Sequence, residues 1–300
     1  MPGTGSKRGF VTQLEIVPVI LAGGEGRRLR PLTSRNRPKP FLRVFPPYSL
    51  FQHTALRVAP FARPVVVCHE SAGDRAYEEL SALDLGARRI ILEPEGRGTA
   101  AAIALAACDL VNSGAGHDTL MLVTPSDHYL DDDELFEQVV RIAAARAGED
   151  RMIMIGVRPV APETRYGYIE TEHTPDVGLY SVKRFIEKPA KADAEALFAV
   201  GSVFWNTGVF MCRPSYYLDL LETFEPSIRY EVGKACDLGN VRGPFLRPER
   251  SAYLKAPSKP VDYAIMERCE GSRLAALDTV WSDVGCWRAL LGVKLKAVLQ

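Results

Sequence analysis

Three glycines and two basic side chains near the start of the sequence form a pattern suited to holding phosphate groups. Gly23, Gly24 and Gly26 follow the apolar run EIVPVIL, and Arg28 and Lys39 come shortly afterwards. Glycines let backbone N–H groups approach phosphate oxygens closely because no Cβ intervenes. The two cations would add charge-assisted hydrogen bonds. The spacing matches neither a Walker A loop nor a dinucleotide-binding fingerprint, so the pattern predicts a polyphosphate loop of another kind.

Two further polar clusters also follow apolar runs. Asp127 comes directly after TLMLVTPS, and a carboxylate at the end of a strand can hold Mg²⁺ against a triphosphate. The neighbouring His128 is interpreted as a hydrogen-bonding residue that supports this turn. In EPEGRGTAAAIALAA, a helix that begins at Gly98 or Thr99 would offer free N–H groups and a partial positive charge, although these residues also fit an ordinary helix cap.

The elements that must position these clusters alternate in type through the first half of the chain. Strand-like apolar runs occupy residues 15–21, 64–68, 89–92, 119–123 and 152–157, and helical patterns lie between them at 74–83, 99–111 and 133–147. Such alternation predicts a mostly parallel sheet with helices on both faces. Ligands of these sheets bind outside the carboxyl ends of the strands, so the polar clusters should converge on one crevice.

The second half of the chain is more mixed. It has β-like stretches at 166–171, 179–187, 203–212 and 275–280, and helical patterns at 191–199, 215–223 and 286–296. No domain boundary is visible within it. We therefore expect a loose tail over residues 1–14 and one compact unit over residues 15–300.

Composition excludes several classes of protein. Hydrophobic residues make up 47% of the chain and charged residues 25%, and the formal net charge is zero, which argues against a nucleic-acid binder with a broad basic face. The six cysteines form no CxxC pair and are interpreted as reduced thiols. The chain shows neither a secretory signal nor an apolar run long enough to span a bilayer. These features predict a cytoplasmic protein without membrane partners.

Several motifs together resemble those of a known family. LAGGEGRRLRPLT, followed by RPKPF, resembles the signature of the sugar-1-phosphate nucleotidyltransferases. VTPSDH, RYGYI and FIEKP resemble further segments of that family. EPEGRGTAAAIALAA, WNTG, VDYAIME and WSDVGCW are similar to segments of the bacterial mannose-1-phosphate guanylyltransferases within it. The resemblance extends from about Ile16 to Leu290 and implies an α/β fold: a Rossmann-like mixed, mostly parallel central sheet with helices on both faces.

The resemblance also implies a role for each matching residue. The implied catalytic residues are Arg28, Lys39, Asp127 and Asp283, and the two aspartates would bind Mg²⁺. The implied nucleotide-binding residues are Leu21, Ala22, Gly23, Gly24, Gly26, Arg28, Glu93, Arg97, Gly98 and Thr99. The implied sugar-phosphate-binding residues are Gly167, Glu187, Lys188, Asn206 and Asp262, although Asp262 equally fits a cap of the helix that follows it.

The implied reaction joins GTP and mannose 1-phosphate into GDP-mannose, with release of pyrophosphate after in-line attack on the α-phosphate. Two alternatives stay open. Glu25, Arg27, Arg30 and Pro40 make the glycine loop look more like that of glucose-1-phosphate enzymes, which points to a uridylyl- or thymidylyltransferase. The second alternative is a non-catalytic regulatory paralogue that binds a nucleotide sugar. A homodimer is left open, and because the chain stops at Gln300, no appended isomerase activity is expected.

Overall fold

The computed structural model describes residues 14–24, 26–34, 37–146, 151–172 and 178–299, with Arg27 and residues 295–299 described by their backbone alone. The tail predicted over residues 1–14 lies outside the described residues, except for Leu14.

Strands occur along the whole described chain. They are β1 (Glu15–Leu21), β2 (Val65–His69), β3 (Arg89–Glu93), β4 (Thr119–Pro125), β5 (Tyr129–Leu130), β6 (Ile153–Val157), β7 (Tyr168–Thr171), β8 (Tyr180–Ile186), β9 (Val203–Cys212), β10 (Asn240–Arg242), β11 (Phe245–Arg247), β12 (Arg273–Ala276) and β13 (Trp281–Ser282).

Helices connect most of these strands. They are α1 (Leu50–Val58), α2 (Gly73–Ser81), α3 (Gly98–Asn112), α4 (Asp133–Ala145), α5 (Lys191–Val200), α6 (Pro214–Phe224), α7 (Pro226–Asp237), α8 (Arg250–Lys255) and α9 (Trp287–Leu299). Single turns of 3₁₀-helix cover Arg27–Leu29, Lys39–Phe41 and Glu70–Ala72, and a π-helical turn covers Asp262–Met266. No helix among the described residues is both long and apolar enough to cross a membrane.

The central sheet is mixed, which confirms the predicted fold class. Its order is β10-β11-β3-β2-β1-β4-β9-β6-β12-β8-β7. The strands β3, β2, β1 and β4 pair in parallel, as the alternation of strands and helices predicts, whereas β9 runs antiparallel to both β4 and β6. The parallel strands end together, so the polar segments that follow β1 and β4 lie at one edge of the sheet.

The second half of the sheet closes on itself. β7 pairs with β8 and also with β9, so that β9, β6, β12, β8 and β7 form a ring of strands. Along the β7–β9 seam, the N–H group of Asn206 donates to the carbonyl of Gly167 at 2.8 Å. Two predicted sugar-binding residues that are far apart in sequence thus become neighbours.

Alternate residues of each strand pack against opposite faces of the sheet, because successive side chains of a strand point to opposite sides. In β1, Val17 and Val19 belong to an apolar cluster that includes side chains of α3, α6, α7 and α8, whereas Ile16 and Ile20 belong to one that includes side chains of α1, α2, α4 and α5. The sheet is therefore covered by helices on both faces.

A third, smaller cluster joins distant parts of the chain beside the glycine loop. It contains Leu29, Leu42, Val44, Leu50, Val284 and Leu290. Its first four members flank Arg28 and Lys39 in sequence, and its last two flank Asp283 and the start of α9. This packing holds the basic and acidic predicted residues close together.

The predicted strand over residues 275–280 is wrong beyond its first two residues. β12 ends at Ala276, and the chain then turns, with the N–H group of Thr279 donating to the carbonyl of Leu277 at 3.1 Å. Asp283 follows the two-residue strand β13, which pairs with β5 just after Asp127. The pairing of β13 with β5, rather than a long strand, brings the two acidic segments together.

Candidate active site

The glycine loop that follows β1 is open to solvent. Gly23 and Gly24 are exposed, and a Cβ atom added at either would meet no other atom within 4 Å. Gly24 and Gly26 have φ values of +98° and +62°, which glycine adopts without strain. A Cβ atom at Gly26 would lie 2.7 Å from the Cβ of Lys39. The loop therefore lies directly against Lys39, with its first glycines accessible to a ligand.

The remaining residues of the loop lie on either side of this opening. Leu21 ends β1, and Ala22 is buried, with its N–H group donating to the carbonyl of Val67 at 2.8 Å. Arg28 is exposed on its 3₁₀ turn. Among the residues that the structure describes, no hydrogen bond or ion pair joins Arg28 to the other predicted site residues.

Lys39 is buried between the two acidic segments, with 6% of its surface exposed. Its Nζ atom lies 2.8 Å from Oδ2 of Asp127 and also donates to the backbone carbonyl of Asp283. Asp127 is brought there by Ser126, whose N–H and hydroxyl groups both donate to the carbonyl of Leu21, at 3.2 and 2.8 Å. Three predicted catalytic residues from separate parts of the chain thus lie together.

The carboxylate of Asp283 is held by a tight turn. Its Oδ1 atom accepts the N–H group of Gly285 at 3.0 Å and the hydroxyl of Tyr166 at 3.2 Å. A Cβ atom at Gly285 would lie 2.2 Å from Oδ2 of Asp283, so a larger residue there would displace this carboxylate. Val284 has a φ of +44°, a strained conformation for a β-branched residue that the surrounding packing must maintain.

The donor set at this point suits Mg²⁺. Asp127 and Asp283 both contact the ammonium group of Lys39, the first through its carboxylate and the second through its backbone carbonyl. Mg²⁺ binds one or two carboxylates together with phosphate oxygens and water. The described residues contain no cluster of three or more histidine, cysteine, aspartate or glutamate side chains able to hold a metal ion. A magnesium ion here would therefore share its coordination with the phosphates of a substrate.

His128 lies beside this pair and contacts the neighbouring strand. Its Nδ1 atom is 3.1 Å from the carbonyl of Thr207, and the edge of its ring contacts Trp281 at a centroid distance of 5.4 Å. Burial lowers the pKa of His128 and so favours the neutral ring. Because the carbonyl oxygen of Thr207 can only accept, the proton of this hydrogen bond lies on Nδ1. This geometry agrees with the interpretation of His128 as a residue that supports the turn.

A second group of predicted residues lies around the β7–β9 seam. Nδ2 of Asn206 donates to Oδ1 of Asp262 at 3.2 Å, and a Cβ atom at Gly167 would lie 2.7 Å from Oε2 of Glu187. The ammonium group of Lys188 contacts the carboxylate of Glu187. All five residues expected to bind the sugar phosphate are thus linked by direct contacts.

Asp262 faces this group with its carboxylate. It begins the π-helical turn, yet that turn has no side-chain cap, and the carboxylate accepts from Asn206 instead. Burial, followed by the negative charge of Glu187, raises the pKa of Asp262 to about 6. A carboxylate that is kept under-solvated in this way has a strong tendency to accept further hydrogen bonds.

Glu93 lies beneath the nucleotide segment rather than on its surface. Its buried carboxylate accepts the hydroxyl of Tyr253, from α8, and the N–H group of Arg97. Burial raises the pKa of Glu93 in spite of these two donors. Glu93 therefore shapes the segment from below, whereas the implied role was direct contact with the nucleotide.

The remaining predicted nucleotide residues lie at the start of α3. Arg97 is the residue before the helix, and its Nε atom is buried with no partner among the described residues. Gly98 has a φ of +77°, and the hydroxyl of Thr99 accepts the N–H group of Val261 at 2.8 Å. These residues contact the segment that leads into Asp262, a contact that the sequence motifs do not predict.

Sequence reasoning missed three residues that support the site. Tyr166 bonds Asp283, Tyr253 bonds Glu93, and Lys259 contacts the start of α3. Tyr166 stands next to Gly167 in the RYGYI motif, so its position was a usable signal. Tyr253 and Lys259 lie outside every motif, and only their contacts in the fold identify them.

Comparisons with known proteins identify the family of the chain. The model of the nucleotidyl transferase family matches residues 17–298. The xanthan biosynthesis protein XanB of Xanthomonas campestris pv. campestris (strain B100) is 41% identical to the chain over 281 residues, which are 93% of this chain and 59% of that protein. The mannose-1-phosphate guanylyltransferase of Klebsiella pneumoniae is 39% identical over 290 residues, covering 94% of this chain and 60% of that protein.

The chain spans about three fifths of the length of these two relatives. Among solved structures, a crystal structure from Thermus thermophilus, described as a mannose-1-phosphate geranyltransferase, matches with a TM-score of 0.82 and 31% identity. That match covers 94% of this chain and 79% of the other. The family match over nearly all of the sequence, together with this structural likeness, establishes that the chain belongs to the nucleotidyl transferase family.

Proposed function

We propose that the chain is a mannose-1-phosphate guanylyltransferase, which converts GTP and mannose 1-phosphate into GDP-mannose and pyrophosphate. The observation that carries the proposal is the buried ammonium group of Lys39 between Asp127 and Asp283, against an open glycine loop. Relatives named mannose-1-phosphate guanylyltransferase in Klebsiella pneumoniae and Escherichia coli support the choice of base and sugar. The match over residues 17–298 supports residues 15–300 as the unit that acts.

In this reaction an oxygen of the sugar 1-phosphate attacks the α-phosphorus of GTP in line. A new P–O bond forms, the bond from the α-phosphorus to the bridging oxygen breaks, and pyrophosphate leaves with the electron pair. No protein nucleophile is required, so the chain contributes positioning and charge. Lys39 and Arg28 would offset the charge of the reacting centre and of the departing pyrophosphate, and Lys188 would meet the sugar phosphate.

Enzymes of this family generally use a divalent metal ion. Asp127 and Asp283 are the residues that would hold Mg²⁺ here, and a bound ion would offset the negative charge of the triphosphate. Tyr166 and the N–H group of Gly285 keep the carboxylate of Asp283 oriented. Lys39 supplies positive charge to the same point from the protein itself.

The second group of residues suits the sugar end of the reaction. Asn206 and the carboxylates of Glu187 and Asp262 offer donors and acceptors to sugar hydroxyls, and the absence of a side chain at Gly167 leaves room for Glu187. Lys188 is the exposed cation of this group, and its φ of +46° is a strained conformation of the kind found at functional sites.

A matrix of substrates tests the proposal. GTP, UTP and dTTP are each combined with mannose 1-phosphate and glucose 1-phosphate in the presence of Mg²⁺, and released pyrophosphate is measured. The highest kcat/KM is expected for GTP with mannose 1-phosphate. A preference for UTP or dTTP with glucose 1-phosphate would replace the proposal by the glucose enzyme. Tight binding of nucleotide sugar without turnover of any pair would indicate a regulatory paralogue.

A further inference from the structure

The start of α3 is hydrogen-bonded to a segment far away in sequence. The N–H group of Lys259 donates to the carbonyl of Arg97 at 3.3 Å, and the N–H group of Ala100 donates to the carbonyl of Lys259 at 3.1 Å. The N–H group of Val261 donates to the hydroxyl oxygen of Thr99 at 2.8 Å. Three hydrogen bonds therefore join two segments, one expected to bind the nucleotide and one leading to Asp262.

This pairing uses groups that a phosphate would otherwise contact. The first N–H groups of a helix have no partner within the helix, which is why helix starts bind anions. Here the N–H group of Ala100 already donates to Lys259, and the hydroxyl oxygen of Thr99 already accepts from Val261. The hydroxyl oxygen of Thr99 thus holds the backbone of Val261, a role in addition to the nucleotide contact that the family resemblance implies.

Gly98 makes the close approach of the two segments feasible. A Cβ atom at this position would lie 2.5 Å from the carbonyl oxygen of Lys259 and 2.8 Å from its backbone nitrogen. The φ of +77° at Gly98 is also a conformation that other residues rarely adopt. Lys259 is held from the other side as well, because its Nζ atom lies 2.6 Å from Oε1 of Glu225.

The hydrogen bond from Val261 fixes the residue that comes directly before Asp262. Asp262 in turn accepts from Asn206 and lies beside Glu187, in the group expected to bind the sugar phosphate. We propose that Thr99 is a positioning residue of the sugar-phosphate pocket, which acts through the N–H group of Val261 on Asp262. The proposal rests on the proposed function, because it takes Asp262 and Asn206 as the sugar end of the site.

Two variants of Thr99 separate this role from nucleotide binding. Thr99→Val keeps the shape of the side chain and removes the acceptor for Val261, whereas Thr99→Ser keeps the acceptor. Calorimetry measures the Kd of GDP and of GDP-mannose for each variant. The ratio of the two Kd values reports the contribution of the sugar to binding. Loss of one net hydrogen bond predicts that Thr99→Val binds GDP-mannose about three- to tenfold more weakly and binds GDP within about twofold of the unaltered protein. Thr99→Ser should restore the ratio.

In steady-state kinetics, the loss of the Thr99 acceptor should change KM but not kcat. Thr99→Val should raise the KM for the sugar phosphate by the same factor and leave kcat within about twofold, since no reacting group is lost. Thr33→Val is the matched control, because the hydroxyl of Thr33 donates to the carbonyl of Gly26, in the glycine loop, at 2.8 Å. That variant should weaken GDP and GDP-mannose alike and leave their ratio unchanged.

Two results would overturn the proposal: equal weakening of GDP and GDP-mannose by Thr99→Val, or no change in either. If Thr99→Val does not fold, Thr99→Ala, which also lacks the acceptor, takes its place under the same criteria. A failure of the proposed function is recognised separately, by the substrate matrix of the unaltered protein. In that case the ratio is measured with the nucleotide sugar that the unaltered protein binds most tightly, and an unchanged ratio still refutes the role of Thr99.

Discussion

The ammonium group of Lys39 is buried against the glycine loop, and in the proposed reaction it would face the triphosphate and the departing pyrophosphate, so its charge is expected to matter most during that reaction. Lys39→Met keeps the length of the side chain and removes that charge. We expect kcat to fall by about 10² to 10³, as when a single donor to a developing charge is removed elsewhere. The Kd for GTP should change much less. Steady-state kinetics and calorimetry with GTP measure the two effects.

The matched control for this variant is Lys183→Met. Lys183 lies on β8, with its Nζ atom 3.6 Å from Glu172, and contacts none of the site residues. The Lys183→Met variant should keep the kcat of the unaltered protein. Full retention of kcat in Lys39→Met would contradict the role assigned to Lys39.

Because the pKa of Asp262 is raised, its contribution to the stability of the folded protein should depend on pH in a direction that can be stated. The folded protein holds the proton of Asp262 up to about pH 6, whereas the unfolded chain releases it near pH 4. The contribution of this residue to stability therefore decreases as the pH rises from about 4 to about 6. Asp262→Asn keeps the acceptor for Asn206 and removes the charge. Its free energy of unfolding should exceed that of the unaltered protein by up to about 2–3 kcal/mol at pH 7.5.

Urea denaturation at pH 7.5 and pH 4.5 measures this difference. The gain should be much smaller at pH 4.5, where Asp262 is protonated in the folded protein. Glu187, Lys188 and Glu267 also place charges beside Asp262, so only the difference between variant and unaltered protein is compared. Asp278→Asn, at an exposed aspartate, should change stability little at either pH. An equal gain at both pH values would exclude the charge of Asp262 as its cause.

At the scale of residues, sequence reasoning found side chains that belong to motifs and missed those that act through another residue. Asp127 follows an apolar run at the end of a strand, and Lys39 belongs to the RPKPF motif that follows the glycine loop, so their type and position indicate chemistry. Tyr253 is a buried tyrosine on a short helix, and in sequence it looks like any core aromatic residue. Its role depends on Glu93, which lies 160 positions away.

At the scale of elements, the pairing between the start of α3 and residues 259–261 should depend on Gly98. In Gly98→Ala the added Cβ atom meets the backbone of Lys259, and alanine must adopt a positive φ. We expect the free energy of unfolding to fall by about 1–3 kcal/mol. Gly96→Ala lies in the same loop, where a Cβ atom would meet nothing within 4 Å. Urea denaturation should show little change in the free energy of unfolding of Gly96→Ala. An equal fall in both variants would refute the close contact at Gly98.

The elements of the first half were predictable because each has its own periodicity. β1 has the predicted bounds, and the other predicted strands of the first half, which became β2, β3, β4 and β6, differ by one or two residues. α1 and α7 were missed. α1 begins with a capping box at Ser49 and Gln52 and is short, and α7 begins at Pro226 directly after α6. α8 was missed as well, because its six residues make too few turns for an apolar stripe to be recognised in sequence.

At the scale of the whole molecule, the third hydrophobic cluster connects the glycine-loop region with the segment around Asp283. Leu290, on α9, is 3% exposed within it. Leu290→Ala should lower the free energy of unfolding by about 2–5 kcal/mol, through lost burial and the cavity that remains. Because the cluster also holds Asp283 in place, a higher Mg²⁺ concentration should be needed for half-maximal activity.

Leu291→Ala offers a control one residue away. Leu291 is 56% exposed, so its truncation should affect neither the free energy of unfolding nor the Mg²⁺ requirement. Thermal and urea denaturation, with a magnesium titration of activity, compare the two variants. Similar behaviour of Leu290→Ala and Leu291→Ala would contradict the proposed connection.

The topology of the whole sheet was predictable only in part. Parallel pairing of β1 to β4 follows from alternating strands and helices, because each helix must cross from one strand to the next. The antiparallel placement of β9 and the closure of β7 onto β9 depend on hydrogen bonds between distant strands. No local pattern in Val203–Cys212 specifies which strands become its neighbours.

The ring formed by β9, β6, β12, β8 and β7 has a consequence for the behaviour of the chain at high concentration. Within the described residues, β7 pairs with β9 as well as with β8, so that end of the sheet has no unpaired edge strand. The opposite margin is β10, which has three residues and carries Arg242. A foreign strand that pairs with an exposed strand of this sheet, the usual first step toward fibrils, therefore finds only the short, charged edge strand β10.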